Sequence, residues 1–98
     1  MTASMLIRML LELKNIYHGE GCRDFDRGID AIVSILSESA LPGTPAWEEA
    51  ASIYRTMAGS KSGFSDVYID RDTVEQRIAA NARLDDIRQT LWDTFART

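Results

Sequence analysis

Cysteine and histidine are nearly absent from this 98-residue chain, which holds Cys22 and His18 and no other residue of either kind. With a single thiol no disulfide can close within the chain, which suits a reducing compartment and makes the cytoplasm the expected location. His18, Glu20 and Cys22 bring together an imidazole, a carboxylate and a thiol, all of them zinc ligands. No further His or Cys stands elsewhere to complete a closed tetrahedral site, so neither a metal nor another cofactor is expected. The plainer reading is a histidine favoured near a helix C-terminus and a small, packed thiol. Nucleophilic catalysis is poorly provided for in the same way: Cys22 and His18 flank a glycine turn with no third group in view, and a serine nucleophile would depend on that same histidine.

Proline and glycine are scarce too, at 2 and 6 residues, far from the composition of disordered or repetitive chains. No glycine-rich loop follows a strand, so nucleotide binding is without its usual cradle. Basic charge is in deficit, with 11 Lys and Arg against 15 Asp and Glu and a formal net charge of -4. The summed field repels phosphate, and the cations are scattered, so nucleic acid is not an expected partner. Nor is there a long apolar run. Met1 to Leu13 comes nearest, but Arg8 and Glu12 interrupt it, no small-residue cleavage site follows, and it is too short to span a bilayer. It reads as a core helix, with no membrane partner.

What remains is a chain 45% hydrophobic and 27% charged, enough for one core and too short to divide, hence a single α-helical domain over residues 1–98. From Thr2 to about Tyr17 the residues Met5, Leu6, Met9, Leu10, Leu13, Ile16 and Tyr17 recur at helical spacing. Ile7 and Leu11 lie off that stripe and offer a second apolar surface, a candidate homodimer interface. Gly19 and Gly21 stop this helix. A second runs from about Arg23 to Ser39 on Phe25, Ile29, Ile32, Val33 and Leu36, and Gly28 within it hints at a close helix crossing. Thr44 as N-cap and Pro45 in the first turn open a third helix, which Gly59 ends after Ala58. Residues 60–71 have no helical period and read as either a short extended segment or a packed loop. Asp72 and Glu75 have capping-box spacing and start a last, longest helix that reaches nearly to Phe95. The expected fold is all-α, a compact four-helix bundle-like domain with an ordered loop before a long C-terminal helix.

On the last helix Arg77, Asn81 and Arg88 share the side of Leu84, Ile87, Leu91 and Phe95, forming a polar ridge beside the buried stripe. Two readings stay open. In one, the arginine stems cover the core edge and Asn81 satisfies loop backbone. In the other, the ridge and the Phe64 to Ile69 loop make a pocket for a small anion, with Asp66 or Asp85 as the acid counterpart. Neighbouring carboxylates such as Glu48 and Glu49 diverge by about 100° around a helix and read as solvated faces rather than catalytic pairs. The acids of the second and third helices, Asp24, Asp26, Asp30, Glu48 and Glu49, give either plain solubility or a negative face that steers a basic protein partner.

The run Ser62, Gly63, Phe64, Ser65, Asp66, Val67, Tyr68, Ile69, followed by Asn81, Ala82, Arg83, Leu84, Asp85, Asp86, Ile87, Arg88, resembles a family of small bacterial helical proteins of unknown function. Their pattern is a Gly-Ser-Phe-Asn-Asp loop and a helix with Asn-x-x-Leu-Asp-x-Leu-Arg. Phe64, Asp66, Asn81, Leu84, Asp85 and Arg88 match and Ser65 replaces the Asn, over roughly a third of the chain. In the N-terminal half His18, Gly19, Glu20 and Phe25 fit more loosely. The resemblance implies a bacterial, intracellular, all-helical protein and implies no activity. Together these features favour a non-enzymatic, protein-binding module of the immunity or antitoxin kind, with the small-anion protein as the alternative.

Overall fold

A computed structural model describes residues 2–38, 40–59 and 62–96. Its helices are α1 (Ala3–Gly19), α2 (Asp26–Ser37), α3 (Pro45–Met57) and α4 (Val74–Ala96), with one 3₁₀ turn at Phe64–Asp66 and no strand among the described residues. The architecture is the all-α, four-helix arrangement that the apolar spacing requires. α1 packs on α2 and α4, and α3 on α2 and α4. One continuous cluster of buried side chains fills the space between them. No helix among the described residues is long and apolar enough to cross a membrane.

Thr2 caps α1, its hydroxyl accepting from Met5 N at 3.3 Å, and Leu6, Leu10, Leu13 and Tyr17 form the buried stripe. Gly21 at φ +78° turns the chain out of the helix, and Cys22 N donates to Tyr17 O at 2.8 Å. The surplus apolar surface expected on α1 is smaller than its sequence suggests. Ile7 packs partly against the core, while the exposed Met5 and Leu11 stand about 120° apart around the helix.

α2 begins at Asp26, three residues later than its apolar period predicts. Arg23 to Phe25 form a turn instead, closed by Asp26 N donating to Arg23 O at 3.3 Å and held from outside by His18 Nε2 on Asp26 Oδ1 at 2.6 Å. The turn swings the Phe25 ring onto Tyr17 and Phe64. The expected end at Ser39 lies outside the described residues. Gly28 does mark a close crossing: a Cβ built there would stand 2.9 Å from Met57 Sδ. Thr44 caps α3 as expected, accepting from Trp47 N at 3.3 Å.

The residue that caps α4 is Thr73, not Asp72. Its Oγ1 accepts from Gln76 N at 3.1 Å and its carbonyl from Arg77 N at 3.0 Å. Either residue is a competent cap, and the loop geometry selects the second. The helix then runs from Val74 to Arg83 with no buried side chain before Leu84, Ile87, Leu91 and Phe95 enter the core. Its first turns thus bury little, with Ala80 partly packed against the core.

Candidate functional site

The described part of the loop between α3 and α4, residues 62–73, is neither an extended strand nor loosely attached. Gly63 at φ +84° lets the chain fold into the 3₁₀ turn, and Phe64 plunges into the core with 1% of its surface exposed. Its ring meets Tyr17, Phe25 and Tyr54 at centroid distances of 5.3, 5.2 and 5.8 Å, two of them edge-on, the arrangement that aromatic quadrupoles favour.

The Phe64 carbonyl accepts from the Tyr17 hydroxyl and from Arg88 Nη1 at 3.1 Å. The same Nη1 reaches Val67 O at 3.2 Å, and Nη2 donates to Asp85 Oδ1 at 2.8 Å. Burial works against the Arg88 charge, but the bonds to Asp85 and Tyr17 outweigh it and its pKa rises. Burial likewise raises the pKa of Tyr17, and raises that of Tyr54, whose hydroxyl donates to Arg88 O at 3.2 Å. Further along, Asn81 grips Ile69 from both sides: Oδ1 accepts from Ile69 N at 2.9 Å, and Nδ2 donates to Ile69 O and to Arg77 O, each at 2.8 Å. Arg77 Nη1 donates to Arg71 O at 2.9 Å. From the C-cap of α1, Glu20 Oε1 accepts from Asp70 N at 3.2 Å.

All three polar residues of the ridge therefore act on loop backbone. The Arg77 and Arg88 guanidiniums turn to separate carbonyls and do not converge. A groove of about 680 Å³ does open between loop and helix, lined by Tyr54, Phe64, Ser65, Asp85, Arg88 and Trp92 among others. Of the residues singled out from sequence, Phe64, Asp85 and Arg88 reach it, and Asp66, Arg77 and Asn81 do not line it. Phe64, Asn81, Asp85 and Arg88 build the clamp on the loop, while Glu20 and Phe25 brace it from the other side.

Two of the acids singled out around α2 and α3 are tied to α1. Asp26 is spent on His18, and Asp30 on Lys14 Nζ at 2.7 Å, both ties between α1 and α2. Asp24 and Glu49 are exposed, and Glu48 stands 4.0 Å from Arg55. A second groove, of about 530 Å³, lies between α2 and α3 over Phe25, Gly28, Ile53 and Met57. His18, Glu20 and Cys22 assemble no metal cluster; no group of three candidate ligands exists among the described residues.

Sequence reasoning missed the outer flank of the loop. Tyr68, Val74 and Ile78 are 60%, 55% and 66% exposed. Around them Asp66, Asp70, Asp72 and Glu75 are exposed with no ion pair among the described residues. The available signal was helical phase: Val74 and Ile78 sit roughly 100° off the stripe of Leu84, Leu91 and Phe95. No family model, curated protein or solved structure matches the chain.

Proposed function

We propose that the chain is a non-enzymatic protein-binding module, an inhibitor of the immunity or antitoxin kind whose acidic surface covers a basic protein partner in a reducing compartment. The observation that supports this reading is the loop flank. Large apolar side chains stand open to solvent beside carboxylates that form no ion pair among the described residues, on a backbone that the Arg88 and Asn81 clamp holds in place. Preorganised surface of this kind loses little entropy on binding, and its negative field steers a basic partner. The acids of α2 and α3 contribute less than their number suggests, because Asp26 and Asp30 already have internal partners. The alternative small-anion site would have to draw Arg88 away from the two loop carbonyls it now holds.

The test is affinity capture from the native lysate with wild-type chain beside two variants, Asp72→Asn/Glu75→Gln and Asp24→Asn. A basic protein retained by wild type and lost from the double variant at moderate salt supports the reading and locates it on the loop flank. Loss from Asp24→Asn alone moves the surface to the turn before α2, and capture of no protein by any of the three sinks it.

A further inference from the structure

The first turns of α4 are an unusual stretch for a folded protein. From Val74 to Arg83 no side chain is buried, yet isolated helices of this length are marginal in water and ordinarily need packing. This one is held by its Thr73 cap, by Arg77 and Asn81 on the loop, by half-buried Ala80 against the core, and at its far end by Arg83 on Glu12 of α1. The flank beside the loop contacts is open to solvent. Val74 and Ile78 stand one turn apart there, Ala82 follows a turn later, and the exposed Ala79 beside them lets another backbone come close.

Resting on the protein-binding reading above, we infer that this segment of α4, with Tyr68, is the docking ridge for a basic amphipathic helix of the partner. A helix fits because the exposed apolar positions follow an i, i+4, i+8 row, the ridge that another helix receives in its groove. Basic charge fits because Asp66, Asp70, Asp72 and Glu75 outnumber Arg71, Arg77 and Arg83, and two of those arginines are already drawn to acids outside the ridge, Arg71 to Glu20 at 3.6 Å and Arg83 to Glu12 at 2.8 Å. A second copy of the chain fits worse, since a twofold contact about Ile78 would set this acidic rim against itself.

The probe is a synthetic Leu/Lys amphipathic helix of about 18 residues, five turns, titrated into isotope-labelled protein. Controls are a scrambled Leu/Lys peptide and a Leu/Glu helix. Amide shifts should centre on residues 66–82, with the scrambled and acidic peptides far weaker. Val74→Ser/Ile78→Ser should weaken binding about tenfold, the scale for losing one anchor cluster, and Asp72→Asn/Glu75→Gln should flatten its salt dependence. These positions are exposed, and circular dichroism checks that both variants keep their helices. Shifts centred on the α2–α3 groove, equal binding of the Leu/Glu helix, or an unchanged Val74/Ile78 variant would each overturn the inference. So would sedimentation showing a dimer that Ile78→Ser dissolves. If the lysate experiment captures a basic partner while the Leu/Lys helix fails, the helical ridge falls and the protein-binding reading stands.

Discussion

Single side chains hold the loop, and their chemistry ranks them. Phe64 contributes by burial and by three ring contacts, so Phe64→Ala should cost about 3–5 kcal/mol, measured by denaturant unfolding. Asn81 contributes by geometry, since its amide matches both the N–H and the C=O of Ile69. An aspartate keeps the shape and loses both donor bonds, leaving the Ile69 and Arg77 carbonyls without that partner. Asn81→Asp should therefore destabilise by about 2 kcal/mol, with the earliest gain in amide exchange at Ile69. This is also where the sequence was most informative about the site. Asn81 and Arg88 stood on the buried side of α4 without apolar character, which marks them as bonded to something. The carbonyls they bond come from residues 64–71, and no local spacing discloses which ones. The acids of α2 are a similar case: local spacing does not disclose that α1 brings His18 to Asp26 and Lys14 to Asp30.

At the scale of elements, the sequence was legible wherever a cap or a breaker acts locally. Thr2, Thr44 and Pro45 open helices where expected and Gly21 turns the chain out of α1, while α3 stops at Met57 with Ala58 as its C-cap, one residue short of its expected end. It was less legible at the start of α2, where apolar period continues through Arg23 to Phe25 but the tie from His18 to Asp26 imposes a turn. The α4 N-terminus illustrates a near-degenerate choice between Asp72 and Thr73, and the choice is testable. Thr73→Ala should destabilise by about 1 kcal/mol and fray the turns ahead of Leu84, where no buried side chain compensates, whereas Asp72→Ala should change stability by less. Hydrogen exchange of residues 74–80 distinguishes the two. The crossing at Gly28 gives a different kind of element-scale constraint. An alanine there gains helix propensity, up to about 1 kcal/mol, but pushes on Met57 Sδ, the mobile end of a flexible side chain. The two effects offset each other for alanine, and a larger residue has no such compensation.

For the whole molecule, the ties between elements set how the fold meets pH. On the acid side, the hydrogen bond from Arg83 holds the Glu12 carboxyl below its usual range and joins α1 to α4 through Nε and Nη2, each at 2.8 Å. A depressed carboxylate adds stability that is present above the unfolded value near 4.5 and is lost as pH falls through the folded one. The pair is substantially exposed, so its share is small and salt-sensitive. The alkaline side carries more. Tyr17 and Tyr54 both have raised pKa values because burial penalises their phenolates, and both sit against Arg88 and the loop. A phenol whose folded pKa lies above its unfolded value of 10 stabilises the fold fully below that value. The stabilisation drains away as pH climbs toward the folded pKa. Stability should therefore fall steeply above about pH 10, with Tyr17 and Tyr54 ionising together with loop release, read by phenolate absorbance alongside far-ultraviolet dichroism. Tyr54→Phe gives up one hydrogen bond at 3.2 Å yet removes one of the two alkaline transitions, so its curve should cross that of wild type: slightly less stable at neutral pH and more resistant above it. Parallel curves at every pH would mean that Tyr54 is not a group whose ionisation opens the fold.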